Sequence, residues 1–117
     1  MLEAHDIREW RGHDVVDANR KKIGKLEAVY VDTRTDQPSF ATVRVGLPTR
    51  YRLVFVPLAD ATVGPGYIRI ARTRGQVKDA PSIDIDGELL AGDEEAVFAH
   101  YELPYQAEPT ERWLARR

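Results

Sequence analysis

Between Asp14 and Gly46 the chain reads DVVDANRKKIGKLEAVYVDTRTDQPSFATVRVG, and no other stretch restricts the fold as much. β-Branched and aromatic residues gather there in three runs, parted by two clusters of turn-forming residues. Val15 and Val16 open the first run. It stops at Asp17-Ala18-Asn19-Arg20, where the Asp side chain is suited to accept backbone N–H groups and Asn19 suits the left-handed conformation. The second run, Lys22 to Thr33, spaces its apolar residues as Ile23, Leu26, Val29 and Val31. That spacing changes phase, as a strand does when it absorbs a bulge, and Gly24 is the natural place to bend. A helix is disfavoured by Val29, Tyr30, Val31 and Thr33, with Asp36 to Pro38 close behind. Phe40 to Gly46 alternates, with Ala41, Val43 and Val45 on one face and Thr42 and Arg44 on the other. It predicts a half-buried antiparallel strand. A bent strand among short hairpins predicts a sheet that curls towards closure.

The rest of the chain extends that sheet and then changes character. Gly46 to Thr49 turns, and Pro48 has no N–H for a ladder. Tyr51 to Val56 is apolar on both faces apart from Arg52, which predicts a strand with core on one side and a covering element on the other. Pro57 ends it. Gly64-Pro65-Gly66 turns again, and Tyr67 to Ala71 is a fifth strand with Ile68 and Ile70 inward. Thr73-Arg74-Gly75-Gln76 is a capping box, so a short helix runs to about Asp79 before Pro81. A second helix, capped by Asp93 or Gly92, runs to about Tyr101 with acids in its first turn and Val97, Phe98 and Tyr101 towards the body. Residues 1–10 form an arm or one helical turn from which Trp10 docks. The main domain spans 11–105. Residues 106–117 read as a mobile tail, whose apolar pair Trp113 and Leu114 is a candidate contact for a partner subunit.

Composition narrows the function classes. A chain of 117 residues makes one domain of common size, about 100–150 residues. It has no cysteine, which removes disulfides, zinc–thiolate sites, iron–sulfur clusters and thiol nucleophiles. The formal charge is −2, so no basic surplus points to nucleic acid. The longest uncharged runs fall far short of the roughly 20 apolar residues of a membrane span. MLEAHDIREW has no apolar centre and is no signal peptide. The expectation is a soluble, cytoplasmic protein.

Reactive groups are scattered. His5, His13 and His100 fall in an arm, a loop and a helix without the i, i+4 spacing of a helical metal pair. Ser39 and Ser82 lack a nucleophile-elbow setting. Ser82 to Asp93 places Ser, Asp, Asp and Gly at the first, third, fifth and sixth positions of a calcium loop. Its twelfth position is Asp93 where a bidentate Glu is wanted, and Pro81 blocks the incoming helix. A surface loop with a turn at Asp86-Gly87 is the better reading. Gly64-Pro65-Gly66 lacks the spacing of a phosphate loop. Tyr30, Phe40, Tyr51, Phe55 and Tyr67 read as core and rim of a small barrel rather than as base-stacking platforms beside Arg44, Arg50 and Arg52. No catalytic, metal or cofactor-binding residue is assigned, and the chain reads as non-enzymatic. The basic tip Arg20-Lys21-Lys22, together with Arg50 and Arg52, is the candidate partner-binding surface.

Taken in order, Gly12–Asp17 (GHDVVD), Ile23–Leu26 (IGKL), Val29–Asp32 (VYVD), Phe40–Val43 (FATV), Val56–Leu58 (VPL) and Gln76–Pro81 (QVKDAP) resemble the PRC-barrel domain family. The family includes the cytoplasmic domain of the photosynthetic reaction centre H subunit and the C-terminal domain of the ribosome maturation factor. His100-Tyr101 matches its stand-alone bacterial members, and the resemblance spans residues 7 to 105. One departure is Arg20, where many members have a turn glycine. The resemblance implies a mainly β protein: a small barrel of five to six antiparallel strands with two short C-terminal helices, used for binding or assembly. The leading expectation is therefore a non-catalytic, self-associating protein-interaction module, with a homodimer as its form. An RNA- or ribosome-associated factor is the alternative, and a reaction-centre-like electron-transfer accessory ranks last. Fold alone transfers none of these roles.

Overall fold

A computed structural model of the chain describes residues 7–85, 87–105 and 112–117. In chain order the elements are α1 (Ile7–Trp10), β1 (Asp14–Val16), β2 (Lys22–Asp32), β3 (Pro38–Leu47), β4 (Arg50–Pro57), β5 (Thr62–Gly64), β6 (Tyr67–Arg69), α2 (Arg74–Lys78), β7 (Ser82–Asp84), α3 (Ala91–His100) and β8 (Leu114–Arg116). The expected strands are all present. Leu2 and His5 lie outside the described residues, and Trp10 docks as expected, 3% exposed.

The strands form a curled sheet in the order β5-β6-β1-β2-β3-β4-β7, the small barrel that the sequence implies but left open between β5 and β7. Eight strands are described rather than five or six, and one pairing, β1 with β6, is parallel. The additions, β5, β7 and β8, are three residues each. Runs so short carry no readable periodicity.

The phase change in β2 has a direct cause. Val15 faces Gly24 and Val16 faces Lys22, so Ile23 is an extra residue opposite β1. Leu26 faces Val43 and Ala28 faces Thr42, so Glu27 is an extra residue opposite β3. The second bulge puts Leu26, Val29 and Val31 on one face although their spacing is uneven. Gly24 sits at the bend because nothing larger fits: a Cβ there would overlap the Arg44 carbonyl oxygen of β3. Gly24→Ala is expected to cost about 2 kcal/mol by overpacking, seen as a lower urea midpoint with an unchanged slope.

Both faces of the sheet carry core. Inside the curl, Val15, Leu26, Val29, Val43, Val56 and Ile68 pack with Trp10 and Val77. On the outer face, Tyr30, Phe40 and Phe55 pack with Val97, Phe98 and Tyr101 of α3 and with Trp113 and Leu114. Hence β3 is not half-buried: residues 40–43 are all buried, Thr42 included. Its Oγ1 lies 3.5 Å from the Ala28 carbonyl oxygen. α3 begins at Ala91 with Leu90 at the N-cap position and no side-chain cap, so neither Gly92 nor Asp93 caps it. Ser82 to Asp84 form β7, which removes the calcium-loop arrangement. The turn there closes through the Gly87 N–H donating to the Asp84 carbonyl at 2.8 Å.

The reading of 106–117 as a mobile tail is overturned for its last six residues. β8 pairs antiparallel with β2, Val31 facing Ala115. It continues along the same edge of β2 where the three-residue β1 stops. An unpaired edge would otherwise lie open there. Glu94 of α3, 0% exposed, holds the strand: Oε1 accepts from the Trp113 N–H (2.9 Å) and Oε2 from the Leu114 N–H (3.1 Å). Trp113 and Leu114 are 8% and 2% exposed. They are therefore core residues of their own chain rather than a surface offered to a partner.

Tyr101 ties the outer core to the sheet, its buried hydroxyl donating to the Phe55 carbonyl at 2.6 Å. Burial raises its pKa well above the ordinary value near 10, with the nearby Arg72 opposing. A raised folded-state pKa gives stability that is complete below the ordinary value and lost as pH rises through the folded one. Wild type should therefore lose stability above about pH 10, more steeply than Tyr101→Phe. At neutral pH that variant should be about 1–2 kcal/mol less stable, because the Phe55 carbonyl is left unpaired. Denaturant titrations at several pH values measure both.

Candidate functional site

The β1–β2 turn and the β3–β4 turn lie at the same end of the sheet, because β2 and β3 are antiparallel. α2 crosses that end. Asp17 fixes both: its buried Oδ1 accepts from the Asn19 and Lys21 N–H groups, and its Oδ2 accepts from the Arg74 N–H, each at 2.8 Å. Burial pushes this carboxyl up, but the Lys21, Arg74 and Asn19 N–H donors together outweigh it and hold it below the usual carboxylate range. The expected Asx-type turn is present. Its left-handed residue is Arg20 (φ 65°), not Asn19, so Arg20 adopts the conformation that a turn glycine takes without strain. Thr73 caps α2 as its position predicts, accepting the Gln76 N–H at 3.2 Å.

Between these elements lies a groove of about 770 Å³. Its non-polar lining is aliphatic: Ile23, Val45, Val54 and Val77. Around it stand Asn19, Lys21, Thr73, Arg74 and Lys78. Lys21, Arg74 and Lys78 are exposed, and none has a salt-bridge partner among the described residues.

The expected basic surface is thus redistributed. Lys21 enters the groove. Lys22 is 3.4 Å from Asp14, which Lys25 also meets at 2.9 Å; the Lys25 hydrogen bond leads in holding Asp14 below its usual pKa. Arg20 is exposed at the turn. Arg50 and Arg52 open β4 at the same end, Arg50 opposite Leu47 and Arg52 opposite Val45, but neither lines the groove. Trp113 and Leu114 lie away from it in the outer core, with the Arg34 guanidinium 3.4 Å from the Trp113 ring centre. Arg74 and Lys78 went unread as site residues. Their signal was available: an i, i+4 cation pair on a helix whose cap was already legible.

His100 and Tyr105 serve the fold. His100 Nε2 is 2.7 Å from the Gln76 carbonyl oxygen, and the Tyr105 hydroxyl donates to Glu94 at 2.9 Å. Among the described residues no three His, Asp or Glu side chains gather as a metal site, and no helix is long and apolar enough to cross a membrane. Tyr30, Phe40 and Phe55 are buried, and only Tyr51 and Tyr67 reach the rim.

A family model described as the PRC-barrel domain matches residues 2–77. That span ends within α2, so β7, α3 and β8 follow the matched part. No curated protein matches the chain.

Proposed function

This chain belongs to the PRC-barrel domain family, and from that premise we propose that it is a non-catalytic protein-interaction module that associates with a second copy of itself. The observation that carries this reading is the groove, where an aliphatic floor lies beneath three exposed cations without ion-pair partners among the described residues. Such a surface suits a polypeptide that brings acidic and aliphatic side chains together. The buried acids support the same reading, because Asp17 and Glu94 both accept hydrogen bonds from backbone N–H groups, among them groups of other elements. A carboxylate held in that way serves to position the backbone around it.

Sedimentation velocity over a dilution series tests the reading. The expected result is a concentration-dependent dimer that weakens as salt is raised, because exposed charges are screened. A strict monomer at high concentration overturns self-association. Retention of RNA with a steep salt dependence, in place of protein, moves the function to the nucleic-acid class.

A further inference from the structure

The end of the sheet that holds the groove also holds its chemical complement. Val45 pairs with Arg52, and Arg52 pairs with Asp84, so a groove residue and the end of β7 lie on one row across three strands. Beyond Asp84 the chain turns and presents Ile85, 42% exposed, and Leu90, 58% exposed. Asp84 and Glu88 are exposed beside them. The loop therefore offers acids with aliphatic side chains, whereas the groove offers cations around an aliphatic floor.

We propose that the groove is filled by Asp84, Ile85, Glu88 and Leu90 of a second copy of this chain, Asp84 and Glu88 meeting Lys21, Arg74 and Lys78. This rests on the self-association reading and assigns it an interface. The two patches lie side by side at one end, so a two-fold axis between them brings each loop to the other copy's groove. Such a contact is isologous and closes at two copies. Leu47, 71% exposed at the β3–β4 tip of the same end, is covered by the same approach. A nucleic-acid strand suits the groove less well, because no aromatic side chain among the described residues lines it as a stacking platform.

Charge exchange in the full-length chain tests the pairing. Lys21→Glu with Lys78→Glu reverses the groove, and Asp84→Lys with Glu88→Lys reverses the loop. All four positions are exposed, and circular dichroism melts verify that both variants fold. Sedimentation should show each variant self-associating about tenfold or more weakly than wild type. An equimolar mixture should regain the dimer, since the reversed groove then meets the reversed loop. A monomeric wild type removes the proposal together with self-association. A dimer undiminished in both variants leaves self-association standing and removes this interface. Two weakened variants that do not rescue each other show that loop and groove do not touch. A wild-type chain that stays monomeric while binding a glutamate- and leucine-rich peptide assigns the groove to a foreign partner, and also overturns the proposal.

Discussion

Replacing Glu94 with alanine is expected to release β8 from the sheet and to lower stability by about 3 kcal/mol, the low end for breaking a buried ion pair. The carboxylate is fully buried and accepts from the Trp113 and Leu114 N–H groups and the Tyr105 hydroxyl. It also lies 3.4 Å from the Arg112 Nε. Arg112 is half-exposed and water can solvate it, which places the cost at that low end. Left without an acceptor, each buried N–H would cost about 1–3 kcal/mol. Detachment of β8 hydrates them instead, so the free energy of detachment caps the loss. Hydrogen exchange separates this from general loosening. The Thr33 N–H donates to the Trp113 carbonyl and the Arg117 N–H to the Val29 carbonyl, and both should lose protection while the Leu26 amide keeps it. Tryptophan fluorescence should shift to the red as Trp113 leaves its contacts with Phe98 and Tyr105. Equal loss of protection throughout the sheet would contradict the role given to Glu94.

Asp17→Ala should be comparably costly, about 3 kcal/mol, since one change removes three hydrogen bonds to an ionised acceptor. Asp17→Asn should fall between that variant and wild type, because the amide keeps one acceptor oxygen. The wild type carries a pH signature that both variants lack. The Asp17 carboxyl is held below its ordinary value near 3.8. Its contribution is therefore complete above that value and is lost as pH falls through the lower folded-state pKa. Urea midpoints for wild type and Asp17→Ala should differ most near neutrality and converge in acid. Because Oδ2 positions Arg74, the alanine variant should also disturb the groove rim and weaken self-association. An Asp17→Ala protein with wild-type stability at neutral pH would show that the β1–β2 turn and α2 hold their places without it.

Legibility in the sequence followed the range of the interaction. The Asp17 turn, the Thr73 cap and the arrest at Pro57 depend on residues a few positions apart, and each is readable in the sequence; the bend at Gly24 is readable from the residue type, although its cause is the Arg44 carbonyl of β3. The groove was half readable for the same reason. Lys21 lies on a local turn, but its company of Val45, Val54, Arg74 and Lys78 comes from three elements that only folding brings together. Arg20, Lys22, Arg50 and Arg52 were equally basic in the sequence. The folded chain leaves them off the lining.

The sequence by itself determined the family, the mainly β character, the curl of the sheet and the absence of cysteine chemistry. Each depends on composition, on short motifs in a fixed order, or on the apolar pattern within one strand. Only the tertiary structure decided that the two-sided core expected at β4 extends to β3, that β8 covers the free edge of β2, and that Trp113 and Leu114 belong to the chain's own interior. The physical reason is pairing over distance. Thr42 looks outward by alternation, yet it is buried beside its cross-strand partners Ala28 and Phe55 of the outer core, and Glu94 looks like a helix-terminal surface acid until two backbone N–H groups from residues 113 and 114 reach its carboxylate.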